Sequence, residues 1–430
     1  MVTGCGGTTI ALKNAENYVI AVPYTELIVN KLGRADAGVA EWTSYDGSVT
    51  HSIFGLFGYF CDCKTDLKRY VASVGIKKII CTYDKLPLLE QYIDPGEYRL
   101  LVDEYHQLLK AYSYRAKAID GVLGAFRKYK SFCFLSATPL QADFKPECLA
   151  DVKEVRAEWE HVDRLHIDVV QTDKPYKKAA NIINKYKSQG YIEVDGVKSE
   201  EAFFFINSVT DIVSILKHCQ LSPNEVKIVC SDKEANQQKL KGLNNDDFKI
   251  DNSRAQSKKF TFLTSKSFEG VDYFSPTGIA FVVSSGSNQN TLLSVDTDIP
   301  QIAGRIRNTC FKNLLVHIMS ANCNLYPDVP YNDFKQRQDN DMVAAKSFIS
   351  FFNSQPEESK AFIKDAVKCN KLYVQYDDDS KTYSFNDRLP KLELYNYLTY
   401  QEVYKNGLAL AEHYKKLGDD VALSRFQHIE

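Results

Sequence analysis

Residues 98–106 read YRLLVDEYH, and this stretch decides how the rest of the chain is interpreted. Its apolar run is strand-sized and too continuous for a half-exposed strand, the pattern of a parallel strand covered on both faces. At its carboxyl end it delivers two adjacent carboxylates, Asp103 and Glu104, followed by His106. Open parallel sheets bind ligands at that end of their strands. Neighbouring carboxylates there can take complementary roles, one holding Mg²⁺ while the other polarises a water attacking a phosphoanhydride. A charged strand exit of purely structural origin has the same appearance, so the stretch has to be weighed with its surroundings.

The surroundings repeat the pattern. NYVIAVP, KKIICTY and SFCFLSATP also read as buried strands, with helical periodicity between them in LLEQYI and YRAKAIDGVLGAFRKYK. Residues 141–164 lose this rhythm and become charged, as a connection between domains would. A second series follows: LHIDVVQT, AFFFINS, EVKIVCS, FTFLTSK, IAFVVSS and LLVHIMS. Beyond about Tyr326 the chain is tyrosine-rich and mainly helical, with LYVQYDDDSKTYSF as a hairpin turned at Asp-Asp-Ser. The tyrosines of YNYLTYQEVY, at helical spacing, are expected to pack rather than to stack on bases.

Composition sets bounds. The 430 residues suffice for two or three domains, and 44% hydrophobic with 25% charged residues is ordinary for a globular protein. A net charge of -2 predicts no global attraction to polyanions, so such a site must be a local concentration of charge. Apolar runs such as IAFVV fall far short of a membrane span, and the start lacks a basic region followed by an apolar core. The 11 cysteines sit mostly in apolar stretches and read as reduced core residues of a cytoplasmic protein. Cys61-Asp-Cys63 lacks the second pair that a zinc site needs.

After DEYH comes Ser136-Ala137-Thr138-Pro139 at the next strand end, and DEYH followed by SATP resembles motifs II and III of superfamily 2 helicases of the DExH type. Further motifs occur in the family's order. PYTELI (23–28) is similar to motif Ia, and Thr82-Tyr83-Asp84 to the threonine-bearing motif before the DExH box. FFFINSV (203–209) is similar to motif IV, TSKSFEGVDY (264–273) to motif V and QIAGRIRN (301–308) to motif VI. The resemblance spans residues 1 to about 325. It implies an α/β fold of two tandem RecA-like domains with parallel sheets (1–155 and 156–326), plus a mainly helical C-terminal region (327–430). It also implies ATP and Mg²⁺ as cofactors, single-stranded or duplex nucleic acid as partner, and no membrane. The compact motif style resembles phage, plasmid or viral replication helicases, with replication proteins as further partners.

Carried over residue by residue, the resemblance assigns catalytic roles to Asp103, Glu104, His106, Gln301, Arg305 and Arg307. Arg305 is the arginine that would meet the γ-phosphate, because a guanidinium stays charged and forks onto phosphate oxygens. Arg307 stands one residue closer than the commoner spacing. Thr8 and Asp103 would hold the metal, and Gly270 and Asp272 of motif V face the nucleotide. Thr25, Thr82, Ser208 and Thr264 would face nucleic acid, with Lys77, Lys78 and Lys266 as nearby charge.

The phosphate loop is the departure. TGCGGTT (residues 3–9) supplies Gly4, Cys5, Gly6, Gly7, Thr8 and Thr9 as nucleotide-binding positions, but Gly7 stands where such loops carry lysine. Only Met1–Thr3 are available for the anchoring strand, where about five or six residues are usual. Two readings follow: an ATPase in which another cation, Lys13 or a second-domain arginine, substitutes, or a non-hydrolysing nucleic-acid-binding scaffold in replication or repair.

Overall fold

The computed structural model describes residues 7–157, 164–243, 247–321, 329–366, 373–417 and 421–428. Gly4, Cys5 and Gly6 of the phosphate loop lie outside them. The first sheet is built from β1 (Tyr18–Val22), β2 (Gly38–Thr43), β3 (Thr50–Leu56), β4 (Lys78–Thr82), β5 (Arg99–Asp103) and β6 (Ser131–Leu135), in the order β2-β3-β4-β1-β5-β6. Only the β2–β3 pair is antiparallel; the others run parallel, with Ala21 opposite Val102 and Asp103 opposite Leu135. The runs YVIAV and KIICT are buried almost throughout, because helices cover both faces of the sheet and β-branched residues suit its pleat.

The second half contains β7 (Leu165–Gln171), the hairpin β8 (Ile192–Val194) and β9 (Val197–Ser199), β10 (Glu201–Phe205), β11 (Val226–Val229) and β12 (Phe260–Leu263). It continues with β13 (Tyr273–Phe274), β14 (Gly278–Ser284), β15 (Ile306–Arg307) and β16 (Leu314–Met319). A further hairpin, β17 (Val374–Asp377) and β18 (Thr382–Phe385), precedes β19 (Val421–His428). The main second sheet is ordered β11-β12-β10-β14-β16-β7-β19, and every neighbouring pair in it is parallel. The fold class is therefore the expected α/β arrangement of two tandem parallel sheets followed by a mainly helical stretch.

The structure corrects three local expectations. SFCFL is an edge strand with Ser131 and Cys133 exposed, because β5 is its only neighbour among the described residues. LLEQYI (88–93) is not a periodic helix; only Leu88 and Leu89 belong to one, the short helix Leu86–Leu89. The stretch after residue 326 is not wholly an appendage, since β19 closes the second sheet against β7. Its tyrosines pack as expected: Tyr395, Tyr397, Tyr404 and Tyr414 are buried, and the β17–β18 hairpin turns over residues 378–381. Leu392 and Tyr395 enter the first domain's core, while Tyr404, Leu410 and Tyr414 enter the second's, so this stretch straps the two together.

Candidate nucleotide site between the two sheets

Thr8 lies on the helix Gly7–Lys13, and its hydroxyl donates to Asp103 Oδ2 at 2.8 Å. Asp103 ends β5, and Glu104 follows it with a left-handed φ of 51°, a conformation that costs a non-glycine residue energy unless its surroundings hold it. Part of that hold is Tyr83, whose buried hydroxyl donates to the carbonyls of Asp103 (2.6 Å) and Glu104 (3.2 Å). The result aims two carboxyl groups out of the sheet's carboxyl end.

Facing them, the helix Asp298–Ala303 presents Gln301, whose Nε2 donates to Glu104 Oε2 at 3.1 Å. Arg305, 4% exposed, donates from Nε to the Gln301 carbonyl at 2.7 Å and through its terminal nitrogens to Gln301 Oε1 and the Val271 carbonyl. Arg307 donates to Asp272 at 3.0 Å. The structure thus brings together Thr8, Asp103, Glu104, Gln301 and Arg305, drawn from both halves of the chain. Arg307 and Asp272 form their own ion pair beside this group, with Arg305 Nη1 4.0 Å from Asp272.

Burial dominates the electrostatics. It raises Asp103 despite the Thr8 hydrogen bond, and it raises Glu104 well above the usual carboxylate range, reinforced by Glu269 and Asp103 and opposed by Arg305 and Gln301. Burial lowers Arg305. Burial also raises Glu269, but His106, Lys110 and Gln107 more than offset it, leaving that carboxyl below its ordinary value.

His106 is fully buried, with Nδ1 3.5 Å from Glu104 Oε2. Its Nδ1 meets Ser136 Oγ at 2.8 Å, and its Nε2 meets Glu269 Oε1 at 2.9 Å. Glu269, held below its ordinary range, can only accept, so Nε2 carries the proton that meets it, and Ser136 Oγ also accepts from the Thr138 N–H at 3.0 Å. Glu104, His106 and Glu269 come close enough to suggest a metal nest. The two carboxylates, however, face opposite ring nitrogens, Glu269 hydrogen-bonded to Nε2 and Glu104 Oε2 3.5 Å from Nδ1, so the ring separates them.

Other expected positions are engaged within the fold. Gly270 has φ 66°, and a Cβ there would lie 2.5 Å from the Leu27 side chain, so glycine is required by the close approach of the two halves. Glu26 of PYTELI is buried, accepting from Ser253 Oγ (3.1 Å) and pairing with Lys266 (2.9 Å), so Lys266 is not an unengaged charge for nucleic acid. Lys78 is buried and donates to the carbonyls of Ala11, Asn14 and Glu16, tying down the end of the Thr8 helix, and Lys77 binds Ser73. Lys13 pairs with Asp46 at 2.7 Å. Thr82 and Thr264 are buried, Ser208 caps the helix Val209–His218, and Thr25 opens the helix Thr25–Leu32 half-buried. Thr9 sits on the Thr8 helix.

Sequence reasoning missed Glu269, Gln107 and the buried pair Lys110–Asp298, all of which join the two halves. The signal for Glu269 was a charge embedded in the otherwise apolar SFEGV.

No family model and no curated protein matches the chain in sequence. Among solved structures it is similar to S. cerevisiae Dbp5 bound to RNA and ADP BeF3, at 12% identity and TM-score 0.43, covering 79% of this chain and 81% of that one. The Mycobacterium smegmatis helicase Lhr bound to ssDNA and AMP-PNP aligns at 12% identity and TM-score 0.41, over 90% of this chain and 56% of that one. The ATP-dependent Type ISP restriction-modification enzyme LlaBIII bound to DNA aligns at 14% identity and TM-score 0.42, over 83% of this chain. The chain spans 29% of that enzyme's length. At these scores the likenesses add nothing to the fold already given by the sheets. Among the described residues, no helix is long and apolar enough to cross a membrane.

Proposed function

We propose that the protein is a nucleic-acid-dependent ATPase of the superfamily 2 DExH type, a helicase or translocase working with Mg²⁺ and ATP between its two α/β domains. The observation that carries this reading is the contact of Gln301 with Glu104, with Arg305 packed on Gln301, directly across from the Thr8–Asp103 pair. Thr8 and Asp103 offer a hydroxyl and a carboxylate, the hard oxygen donors that suit Mg²⁺, and the ion would neutralise phosphate charge there. Glu104, ionised, orients and deprotonates the attacking water; its raised pKa makes it a stronger base once charged. Arg305 stabilises charge developing on the γ-phosphate in a site dry enough for that charge to count. Arg307 supports it through Asp272. Nucleic acid, DNA or RNA, is gripped through Thr25 and Ser208, and replication proteins are the further partners this reading expects.

The working division is 1–155, 156–326 and 327–430, with β19 belonging physically to the second sheet. Steady-state ATP hydrolysis with and without single-stranded DNA and RNA tests the reading. Stimulated turnover supports a motor-type ATPase; no turnover with any polynucleotide sinks it. The second reading, a non-hydrolysing scaffold, is favoured by Gly7, whose missing lysine leaves the phosphate loop without its usual cation. It predicts nucleic-acid binding without hydrolysis.

A further inference from the structure

Glu269 is 2% exposed, lies in the second domain and accepts two hydrogen bonds from the turn that carries Glu104. His106 Nε2 donates to its Oε1 at 2.9 Å and Gln107 Nε2 at 2.7 Å. Tyr24 fixes the Gln107 amide by donating to its Oε1 at 3.1 Å, which directs the amino group at Glu269. Glu269 Oε2 is buried without a hydrogen-bond partner among the described residues. The carboxylate therefore draws its hydrogen bonds from His106 and Gln107, with Lys110 adding a favourable field. A buried anion so placed is stable only while those donors stay in position, and they hold position only while the anion is there.

What the donors belong to gives the contact its purpose. They follow Glu104 by two and three residues, and Glu104 is held at φ 51°, outside the conformations its side chain prefers. Tyr83 restrains the carbonyl side of that strained residue from within the first domain. The turn after it is restrained from the second domain, by Glu269.

We infer that Glu269 is a positioning residue: by clamping His106 and Gln107 it makes the strained geometry of Glu104 conditional on contact between the two domains. When the domains part, the clamp is lost and the turn is free to leave its strained conformation, so Glu104 is correctly aimed only in the closed state. This rests on the ATPase reading for its consequence, though the clamp itself is measurable without any activity.

The test pairs two readouts on Glu269→Ala and Glu269→Gln, with Gln107→Ala as a first-domain variant that removes one donor and leaves Glu269 in place. In hydrogen exchange, the amides of residues 104–109 are expected to exchange at least tenfold faster in Glu269→Ala than in the parent, while those of β1 and β11 are unchanged. In ATP turnover, kcat is expected to fall at least tenfold with KM within threefold, Glu269→Gln recovering part of the loss and Gln107→Ala giving a smaller loss of the same kind. Unchanged exchange at 104–109, or a uniform rise across both sheets in all three variants, overturns the inference. If the parent itself hydrolyses nothing, the ATPase reading fails, and the exchange result alone decides whether the clamp exists. If Glu269→Ala does not fold, the same decision is read from Glu269→Gln and Gln107→Ala.

Discussion

Gly7 sits against Leu135: a Cβ built on Gly7 would lie 2.3 Å from Leu135 Cδ2. The glycine where the proposed phosphate loop would carry lysine is therefore matched to a leucine on the strand leading to Ser136, and a lysine there first has to move that leucine. Leu135 is only partly buried and meets Gly7 with the end of its side chain, so it can give way at modest cost. Gly7→Ala should lose about 1 kcal/mol of stability through overpacking, and adding Leu135→Ala should remove that penalty. A thermal-unfolding cycle over the four variants checks this, and Gly7→Ala as stable as the parent contradicts it. For the same reason Gly7→Lys with Leu135→Ala should hydrolyse ATP faster than Gly7→Lys alone.

Glu104→Gln keeps the Gln301 contact and the shape of the turn but removes the base. Turnover should fall by about 10²-fold or more, within the range that general-base catalysis supplies and beyond. Binding of a fluorescent ATP analogue should stay within a few-fold of the parent. Parental turnover in this variant would remove Glu104 from the chemistry.

Arg305→Ala separates chemistry from binding differently. Loss of a charge that acts mainly on the developing γ-phosphate charge should slow hydrolysis by about 10²-fold or more and weaken nucleotide binding much less. Because Arg305 also braces Gln301 and Val271, Arg305→Lys is the needed companion. It keeps charge without the fork and should stay slow while unfolding like the parent. Equal losses in turnover and binding would mean that Arg305 only holds the nucleotide.

Much of this site is legible in the sequence because its residues occupy strand ends, where an apolar run stops at a carboxylate or hydroxyl. Asp103, Glu104 and Ser136 announce themselves in that way. What the sequence hides are the long-range partners of buried charges. Lys78 looks like a surface cation beside Lys77, yet it is enclosed and engaged by three carbonyls at the end of the Thr8 helix. Glu269 and His106 are 163 residues apart, and only the packing of one domain on the other brings them together. The strand β19 is hard to read because VALSRFQH mixes polar residues into an outer strand, paired among the described residues with β7 alone.

Lys110 and Asp298 form a buried ion pair between the helix Gln107–Lys110 and the helix Asp298–Ala303, with Thr297 also accepting from Lys110 at 3.0 Å. Burial opposes the lysine's charge, but Asp298 together with Tyr395, Tyr400 and Glu269 outweighs it and holds Lys110 protonated well beyond its ordinary range. Removing one partner strands the other, so Lys110→Met should cost about 3–5 kcal/mol. The double variant Lys110→Met, Asp298→Leu should recover most of that in denaturant unfolding. A double variant no more stable than the single one would show that the pair is not an isolated, replaceable unit.

The acid limb of stability should be set in part by His317. It is fully buried in the second domain, with Tyr414 Oη 2.7 Å from Nδ1 and Ser284 Oγ 3.0 Å from Nε2, both neutral partners. Burial with no compensating charge lowers its pKa to about 3, against an ordinary value of 6.5. The folded state therefore resists the proton that the unfolded state accepts, and the sign follows directly. The stabilisation is fully present above pH 6.5 and drains away as pH falls toward 3. Between pH 6.5 and pH 5 this single residue should account for a loss of about 2 kcal/mol. His317→Gln keeps a neutral hydrogen-bonding side chain that cannot titrate, so it should be less stable than the parent at pH 8 but lose less on acidification. Urea unfolding of both proteins at pH 8, 6.5 and 5 measures the difference, and parallel pH profiles would show that His317 is not the group that charges.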